Sequence, residues 1–194
     1  QAANFTALAT ARHHLLAEAG WDVEARGLFG APELHVVCSD ESHYTIFNAL
    51  KLLGLGADRV TRVATDAQGR MRADALASAL DALEGPTIVC AQAGNVNTGA
   101  FDPVGEISRA AHERGAWVHV DGAFGLWAAT SPRLAHLVAG VERAHSWSTD
   151  AHKWLNAGYD CGFVATADPE AHRAAMAGSG AYLMRSDAQR ENWE

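Results

Sequence analysis

The chain has 194 residues, which is the length of one domain or slightly more. Hydrophobic residues make up 48% of it and charged residues 20%, an ordinary balance for a globular protein. The formal net charge of −8 disfavours nucleic acid and anionic membrane as partners. No apolar run approaches the roughly 20 residues that span a bilayer, so the sequence predicts no membrane association.

The cysteines indicate the redox compartment. Cys38, Cys90 and Cys161 lie far apart in predicted strands, and their odd number and spacing do not suggest a metal site. We therefore expect buried free thiols in a reducing cytoplasm.

Helical spacing of small and apolar residues predicts helices, and short continuous apolar runs predict buried strands. Asp102 and Pro103 predict a helix start, with Asp102 as the N-cap and Pro103 at the first helical position. In chain order we predict a helix at 4–18, a strand at 34–39, a helix at 42–53, a strand at 60–64, a helix at 72–83, a strand at 87–92, a helix ending at 114, a strand at 116–121, a short helix within 132–140, strands at 143–148 and 162–167, and a helix at 169–177.

The alternation of strands and helices predicts the fold class. Short, continuously apolar strands are typical of an α/β fold with a mainly parallel sheet and helices on both faces. The last strand follows the fifth without an intervening helix, so we expect that this strand runs antiparallel.

Polar side chains gather after several predicted strands. In an open parallel sheet, ligands bind outside the carboxyl ends of the strands, so these residues predict a site at that edge. They are His43 after the first strand, Asn95, Asn97 and Thr98 after the third, Asp121 at the end of the fourth, and His152 and Lys153 after the fifth.

Lysine is rare in this chain, and Lys153 is one of only two, the other being Lys51. Lys153 lies between a histidine and a tryptophan, just past an apolar segment. A partly desolvated lysine loses some of its preference for the charged form, and a neutral amine can form a Schiff base with an aldehyde. The alternative is a surface lysine in a loop.

Three other groups each have a structural and a functional interpretation. Asp121 closes an apolar run and either braces a loop or faces a bound cation. His43 either lies near a helix start as a capping residue, or acts as a ligand, a base or a stacking ring. His152 either contacts a phosphate or packs. The histidines form no pair at metal spacing with a carboxylate, so we predict no metal site.

Four segments carry a resemblance to a known family. They are SHY at 42–44, GNVNTGAFDP at 94–103, HVDGAFG at 119–125 and STDAHKWLNAGYDCG at 148–162. In this order they resemble the group II pyridoxal-phosphate-dependent amino acid decarboxylases, which include aromatic amino acid, histidine and glutamate decarboxylases. The resemblance covers nearly the whole chain and implies the aspartate aminotransferase-like fold, fold type I.

The resemblance implies a role for each matching residue. Lys153 matches the lysine that binds the aldehyde of pyridoxal 5'-phosphate, and Asp121 matches the partner of its pyridinium nitrogen. His43 matches the histidine stacked over the ring, and Ala123 the small residue near the opposite ring face. His152 resembles a contact on the phosphate side, and Asn97 and Thr98 match a loop near the cofactor.

The resemblance also sets expectations for the rest of the protein. Family members run to roughly twice this length or more, so we interpret residues 1–194 as the cofactor-binding large domain, cut at both ends. We expect an N-terminal segment with most of a phosphate loop, and a C-terminal small domain, to lie outside it. The family also implies a homodimer with a shared active site. Many relatives carry alanine where this chain has Gly122.

The implied reaction is decarboxylation of an L-amino acid to an amine and carbon dioxide, a lyase reaction of amino acid metabolism, with Lys153 and His43 as the catalytic residues. Two alternatives stay open. One is another fold type I reaction, such as an aminotransferase, a carbon–carbon lyase or an aldehyde-forming enzyme. The other is a catalytically silent fragment that serves only as a cofactor-binding or dimerisation module.

Overall fold

The computed structural model describes residues 1–178, which build a six-stranded sheet. The strand order is β2-β1-β3-β4-β5-β6; the first five strands are parallel, and β6 runs antiparallel to β5. This confirms the predicted mainly parallel sheet and its antiparallel last strand. The strands are β1 (His35–Ser39), β2 (Thr61–Val63), β3 (Thr87–Gln92), β4 (Trp117–Asp121), β5 (Ser146–Asp150) and β6 (Gly162–Thr166).

α-Helices connect the first four parallel strands in turn, and short 3₁₀ helices connect β4 to β5. Among residues 1–178, no helix has both the length and the apolar content to cross a bilayer. The α-helices are α1 (Ala2–Glu18), α2 (Val23–Arg26), α3 (Tyr44–Leu52), α4 (Ala73–Asp81), α5 (Val104–His112), α6 (Ala151–Trp154) and α7 (Pro169–Met176), and the short 3₁₀ helices are Ala57–Arg59, Leu126–Thr130, Ala135–Val138 and Val141–Arg143.

The sheet separates two apolar cores, one under each layer of helices. Successive residues of a strand point to opposite faces, so Val36 and Cys38 pack under α1 and α3, whereas Val37 packs under α4 and α5. This confirms helices on both faces. It also explains why the strands are apolar without alternation, because both of their faces are buried.

The fifth strand begins three residues later than the sequence predicts. Val141–Arg143 forms a 3₁₀ helix, and β5 occupies 146–150 rather than 143–148. Lys153 therefore lies in α6, which begins directly at the carboxyl end of β5.

Asp102 is not the N-cap of α5, which corrects the sequence-based expectation. Pro103 occupies the cap position, and no side chain caps the helix. The Asp102 carboxylate instead accepts the backbone N–H groups of Met71 and Gln92, at 2.8 and 2.7 Å. Burial raises the pKa of Asp102 to about 6, and these two hydrogen bonds only partly offset that effect. The Asp102 carboxylate thus links its own segment to those of Met71 and Gln92.

All three cysteines are free thiols. Cys38 in β1 and Cys90 in β3 are buried, and burial raises the pKa of Cys38 to about 11. Cys161 is only partly buried and immediately precedes β6, so the expectation that it lies within a strand and is buried is wrong.

Gly122 directly follows β4 and has no room for a side chain. A Cβ atom there would lie 2.6 Å from Cβ of Leu126 and 3.1 Å from the carbonyl oxygen of Ser148. The Gly122 N–H also donates to that carbonyl, at 2.9 Å. The turn after β4 therefore lies against β5 at a separation that alanine does not fit.

We predict that Gly122→Ala lowers the free energy of unfolding by about 1–3 kcal/mol, the usual effect of overpacking a tight site. Urea denaturation measures this change. Gly158→Ala is the matched control, because a Cβ at Gly158 meets no atom within 4 Å. Equal stability of Gly122→Ala and the control would contradict this packing.

Candidate active site

A cavity of about 290 Å³ opens at the carboxyl edge of the sheet. It is formed where β4 and β5 end and where α1 and α3 begin, so residues distant in sequence share one wall. The family resemblance assigns roles to seven residues, and all of them except Asn97 and Thr98 line this cavity. These five are His43, Asp121, Ala123, His152 and Lys153. A small recess of about 20 Å³ shares four of them, His43, Asp121, Ala123 and Lys153.

Asp121 is buried at the end of β4, with 5% of its surface exposed. Its Oδ2 accepts a hydrogen bond from Nδ2 of Asn4 at 3.0 Å, and its Oδ1 accepts from the backbone of Ala123 at 3.2 Å. Within residues 1–178, no cationic side chain lies within ion-pairing distance of this carboxylate. A buried carboxylate of this kind favours a cationic ligand.

Lys153 reaches the same cavity from α6. Its Nζ lies 2.8 Å from Oδ2 of Asp150 and 3.9 Å from the centre of the Phe124 ring. A cation over an aromatic face is attracted by the ring quadrupole. The Lys153 amine is therefore held between a carboxylate and an aromatic ring. Lys153 lies in a short helix at the cavity and not in a surface loop, which was the alternative interpretation.

His43 occupies the N-cap position of α3, yet its side chain makes no capping hydrogen bond. Its Nδ1 lies 2.9 Å from Oγ1 of Thr45, and its ring is tilted against Tyr44 at a centroid distance of 4.6 Å. The imidazole thus faces the cavity instead of closing the helix, which argues against the capping interpretation.

His152 is largely committed to the protein. Its Nδ1 lies 2.9 Å from the carbonyl oxygen and 3.1 Å from the nitrogen of Cys161, and its ring packs on Tyr159 at 4.3 Å. Its Nε2 lies 3.7 Å from Asp150. Nε2 is the ring nitrogen that can also face a ligand.

Asn97 and Thr98 are not brought to the cavity. Both backbone N–H groups donate to Oδ1 of Asn95, and the Thr98 hydroxyl donates to the carbonyl of Gln68 at 2.7 Å. Both residues are exposed. These hydrogen bonds close the loop around Asn95, and Val96 of this loop lines the small recess.

The structure adds three residues that the sequence reasoning missed. Asn4 enters from α1, Asp150 from the last position of β5, and Gln92 from the last position of β3. The Gln92 Nε2 is buried and has no hydrogen-bond partner among the described residues. Gln92 and Asp150 each end a strand at the same edge of the sheet, so the strand pattern could have identified them as site residues. Nothing in the sequence marks Asn4, because a polar residue at a helix start is common.

A larger cavity, of about 700 Å³, lies elsewhere and contains none of the five predicted site residues. It is an open cleft between the start of α5 and the 136–143 segment. Size alone therefore does not identify the site; the grouping of an amine, a buried carboxylate and histidines does.

The sequence matches the family described as the pyridoxal-dependent decarboxylase conserved domain over residues 2–193. The chain belongs to this family. The match confirms the resemblance to the group II pyridoxal-phosphate-dependent decarboxylases.

Relatives and solved structures agree with this assignment. The chain is 36% identical over 171 residues to cysteine sulfinic acid decarboxylase of Mus musculus, covering 86% of this chain and 35% of that protein. It is 33% identical over 157 residues to 4-hydroxyphenylacetaldehyde synthase of Rhodiola rosea, covering 78% and 32%. A crystal structure of Oryza sativa TDC with PLP and tryptamine superposes with a TM-score of 0.83 at 32% identity, covering 95% and 38%. The chain thus spans about a third of the length of the curated relatives it matches, and its fold is fold type I.

The cavity fits the aldehyde and the ring of pyridoxal phosphate by its own chemistry. It supplies a primary amine for an aldehyde, a buried carboxylate for a cationic ring nitrogen and an unpartnered amide donor for a polar ring substituent. Lys153, Asp121 and Gln92 provide these three groups. The small side chain of Ala123 leaves space beside Asp121.

The ion pair of Lys153 with Asp150 leads to a prediction. We expect Asp150→Asn to speed the reaction of Lys153 with pyridoxal phosphate roughly two- to fivefold, because partly exposed ion pairs contribute about 0.4–1 kcal/mol. Stopped-flow absorbance measures the rate. Asp160→Asn is the matched control, since that carboxylate is exposed and has no ion pair with Lys153 among residues 1–178. A slower reaction in Asp150→Asn would mean that Asp150 assists the amine.

Proposed function

We propose that this chain is the cofactor-binding large domain, residues 1–194, of a pyridoxal-phosphate-dependent enzyme that decarboxylates an L-amino acid to an amine and carbon dioxide. One observation carries the proposal. The amine of Lys153 and a buried carboxylate, Asp121, that has no cationic partner within residues 1–178 line the same cavity at the carboxyl edge of the sheet.

Lys153 provides the covalent attachment. When bound, pyridoxal phosphate supplies an aldehyde that captures an amine and a protonated ring that accepts the electrons left behind when carbon dioxide departs. Lys153 Nζ, which lines the cavity, would be the amine that holds this aldehyde. Asp150, whose Oδ2 lies 2.8 Å from Nζ, orients this amine.

Asp121 and His43 act on the ring. The buried Asp121 carboxylate would hold the ring nitrogen in its protonated, cationic form. His43, at the start of α3, and Ala123, after β4, both line the recess beside Asp121, where His43 would pack on the ring and the small Ala123 would leave room for it. His152 serves the phosphate side through Nε2, while its Nδ1 stays on the Cys161 backbone.

The main alternative to decarboxylation to an amine is formation of an aldehyde, and the two reactions can be told apart by experiment. One relative is named for the synthesis of an aldehyde, 4-hydroxyphenylacetaldehyde. Decarboxylation releases an amine and carbon dioxide. Aldehyde formation is in addition a two-electron oxidation, which consumes an oxidant such as dioxygen and releases the aldehyde, carbon dioxide and ammonia but no amine, so analysis of the products separates the two. We favour decarboxylation because the family as a whole is described by that reaction.

We further propose that the protein works as a cytoplasmic homodimer. Two large aromatic side chains that line the cavity are exposed, Tyr44 at 67% and Tyr159 at 87%, and Trp154, next to Lys153 in α6, is 67% exposed. This exposure supports a covering partner. The free thiols support a reducing compartment.

We predict that borohydride reduction of the protein with pyridoxal phosphate leaves a covalent adduct on Lys153, located by peptide mass mapping. Lys153→Arg keeps a cation beside Asp150 but cannot form the adduct, so the visible absorbance of the covalent complex is lost. Lys51→Arg, in α3, is the matched control and keeps the adduct. An adduct that persists in Lys153→Arg contradicts the assignment. Its absence from the unaltered protein favours the catalytically silent fragment.

We predict a dimer mass by light scattering at micromolar concentration. Trp154→Ser and Tyr159→Ser together should shift the mass towards the monomer, because obligate interfaces depend on buried aromatic residues. Phe29→Ser is the control, since Phe29 is 98% exposed and lies outside the cavity. A monomer in the unaltered protein would refute the homodimer.

A further inference from the structure

The side-chain amide of Asn4 lies at the centre of a buried hydrogen-bond network beneath the cavity. Its Nδ2 donates to Oδ2 of Asp121 at 3.0 Å and to Oγ1 of Thr45 at 3.2 Å. Its Oδ1 accepts from Nε2 of His119 at 3.0 Å and from Oγ of Ser148 at 2.5 Å. An amide offers two donors and two acceptor positions, so all four are used.

Chemistry fixes the orientation of this amide. An ionised carboxylate accepts hydrogen bonds and cannot donate them. If the amide were flipped, Oδ1 of Asn4 would face the Asp121 oxygen, and two acceptors would lie 3.0 Å apart. Nδ2 therefore faces Asp121, and Oδ1 faces His119. The Nε2 atom of His119 must then carry the proton.

The other end of the network is fixed in the same way. The indole of Trp117 can only donate, and its Nε1 lies 2.9 Å from Oγ of Ser146. The Ser146 hydroxyl then donates to Nδ1 of His119, at 3.0 Å. Every link donates in one direction, from Trp117 through Ser146, His119 and Asn4 to Asp121. Hydrogen bonds that run in series polarise and strengthen one another.

His119 stays neutral in this position. It is fully buried, and burial lowers the pKa of His119 to about 4, although the charge of Asp121 opposes that effect. A neutral imidazole gives the network a fixed donor without adding a cation. The negative charge of Asp121 is thus stabilised by dipoles and remains available to a cationic ligand.

A second branch of the network leads to the other ring-facing group. Thr45 accepts from Asn4, and its Oγ1 lies 2.9 Å from Nδ1 of His43. One amide therefore connects the carboxylate and the imidazole that both line the cavity. The position of one relative to the other depends on a residue in the first turn of α1.

We propose that Asn4 is a positioning residue: oriented by His119, its amide donates to Asp121 and to Thr45 and so holds the Asp121 carboxylate aligned with His43 for the cofactor ring. This rests on the proposed function for the identity of the ligand. The alternative is that Asn4 only fastens α1 to the sheet. That structural role predicts a loss of stability on substitution and nothing more.

The first test needs no cofactor and no variant. Nitrogen NMR of labelled histidine identifies the tautomer of His119 in the cofactor-free protein. We expect the Nε2-protonated neutral form throughout pH 5–8, given a pKa of about 4. A proton on Nδ1, or an imidazolium near neutral pH, would overturn the network, while the proposed function would be unaffected.

The second test reads the ring directly. The nitrogen shift of labelled pyridoxal phosphate distinguishes a protonated from a neutral ring. We expect the bound ring to be protonated in the unaltered protein, to lose that proton in Asp121→Asn, and to lose part of it in Asn4→Ala, with an increase of about tenfold in the dissociation constant of the cofactor. Asn4→Asp, which keeps the size of the side chain but removes its donors, serves if Asn4→Ala does not fold.

Thr10→Val is the matched control. Thr10 is also buried on α1, but its hydroxyl donates only to the carbonyl of Thr6, at 2.9 Å. We expect an unchanged ring signal and cofactor affinity in this variant. An Asn4→Ala protein that loses stability like Thr10→Val and keeps the unaltered ring signal would overturn the proposal. If Asp121→Asn also kept the signal, the Asp121 role in the proposed function would be the part that fails.

Discussion

The site depends on burying one negative charge at the end of a central strand. Moving a carboxylate out of water is costly unless hydrogen bonds or a cation compensate it. Asp121 has two hydrogen bonds, from Asn4 and from the Ala123 backbone, and no cationic partner among residues 1–178. Two hydrogen bonds only partly compensate a buried charge. The surrounding architecture therefore favours a ligand that brings a positive charge to Asp121, which is what a protonated ring nitrogen does.

The sheet topology explains how such a site can be built from distant segments. β4 and β5 are parallel neighbours, so their carboxyl ends carry Asp121 and Asp150 to the same edge. The sharp change from β5 into α6 turns Lys153 back over that edge, where Asp150 and Phe124 hold its amine. The absence of a side chain at Gly122 lets the turn after β4 approach β5. The strand order, the tight turn at Gly122 and the ion pair of Lys153 with Asp150 together determine where the Lys153 amine lies relative to the Asp121 carboxylate.

Sequence patterns predicted the groups that end strands, because that position follows from the strand pattern alone. Asp121, His43 and Lys153 were recognisable in this way, and so were the parallel sheet and its antiparallel last strand.

Contacts between residues distant in sequence were not recognisable from the sequence. Asp102 looked like a helix cap because its neighbour is Pro103, yet two backbone N–H groups from other segments claim its carboxylate. Asn97 and Thr98 belong to a matching motif, but their loop folds on Asn95 and turns them outwards. Asn4 gave no local signal, since its four partners come from three distant elements, α3, β4 and β5.

The charges lining the cavity also restrict how the remaining groups of a substrate are bound. Within residues 1–178, its wall carries three carboxylates, Asp121, Asp150 and Asp160, and one ammonium group, Lys153. Such a wall attracts cationic groups of a ligand and repels anionic ones, a phosphate included. His152 offers one ring nitrogen, which is too little for a dianion. Anion recognition is therefore expected from a surface that approaches this cavity from outside its wall. The exposed aromatic side chains of Tyr44 and Tyr159, which line the cavity, mark where such a surface would pack.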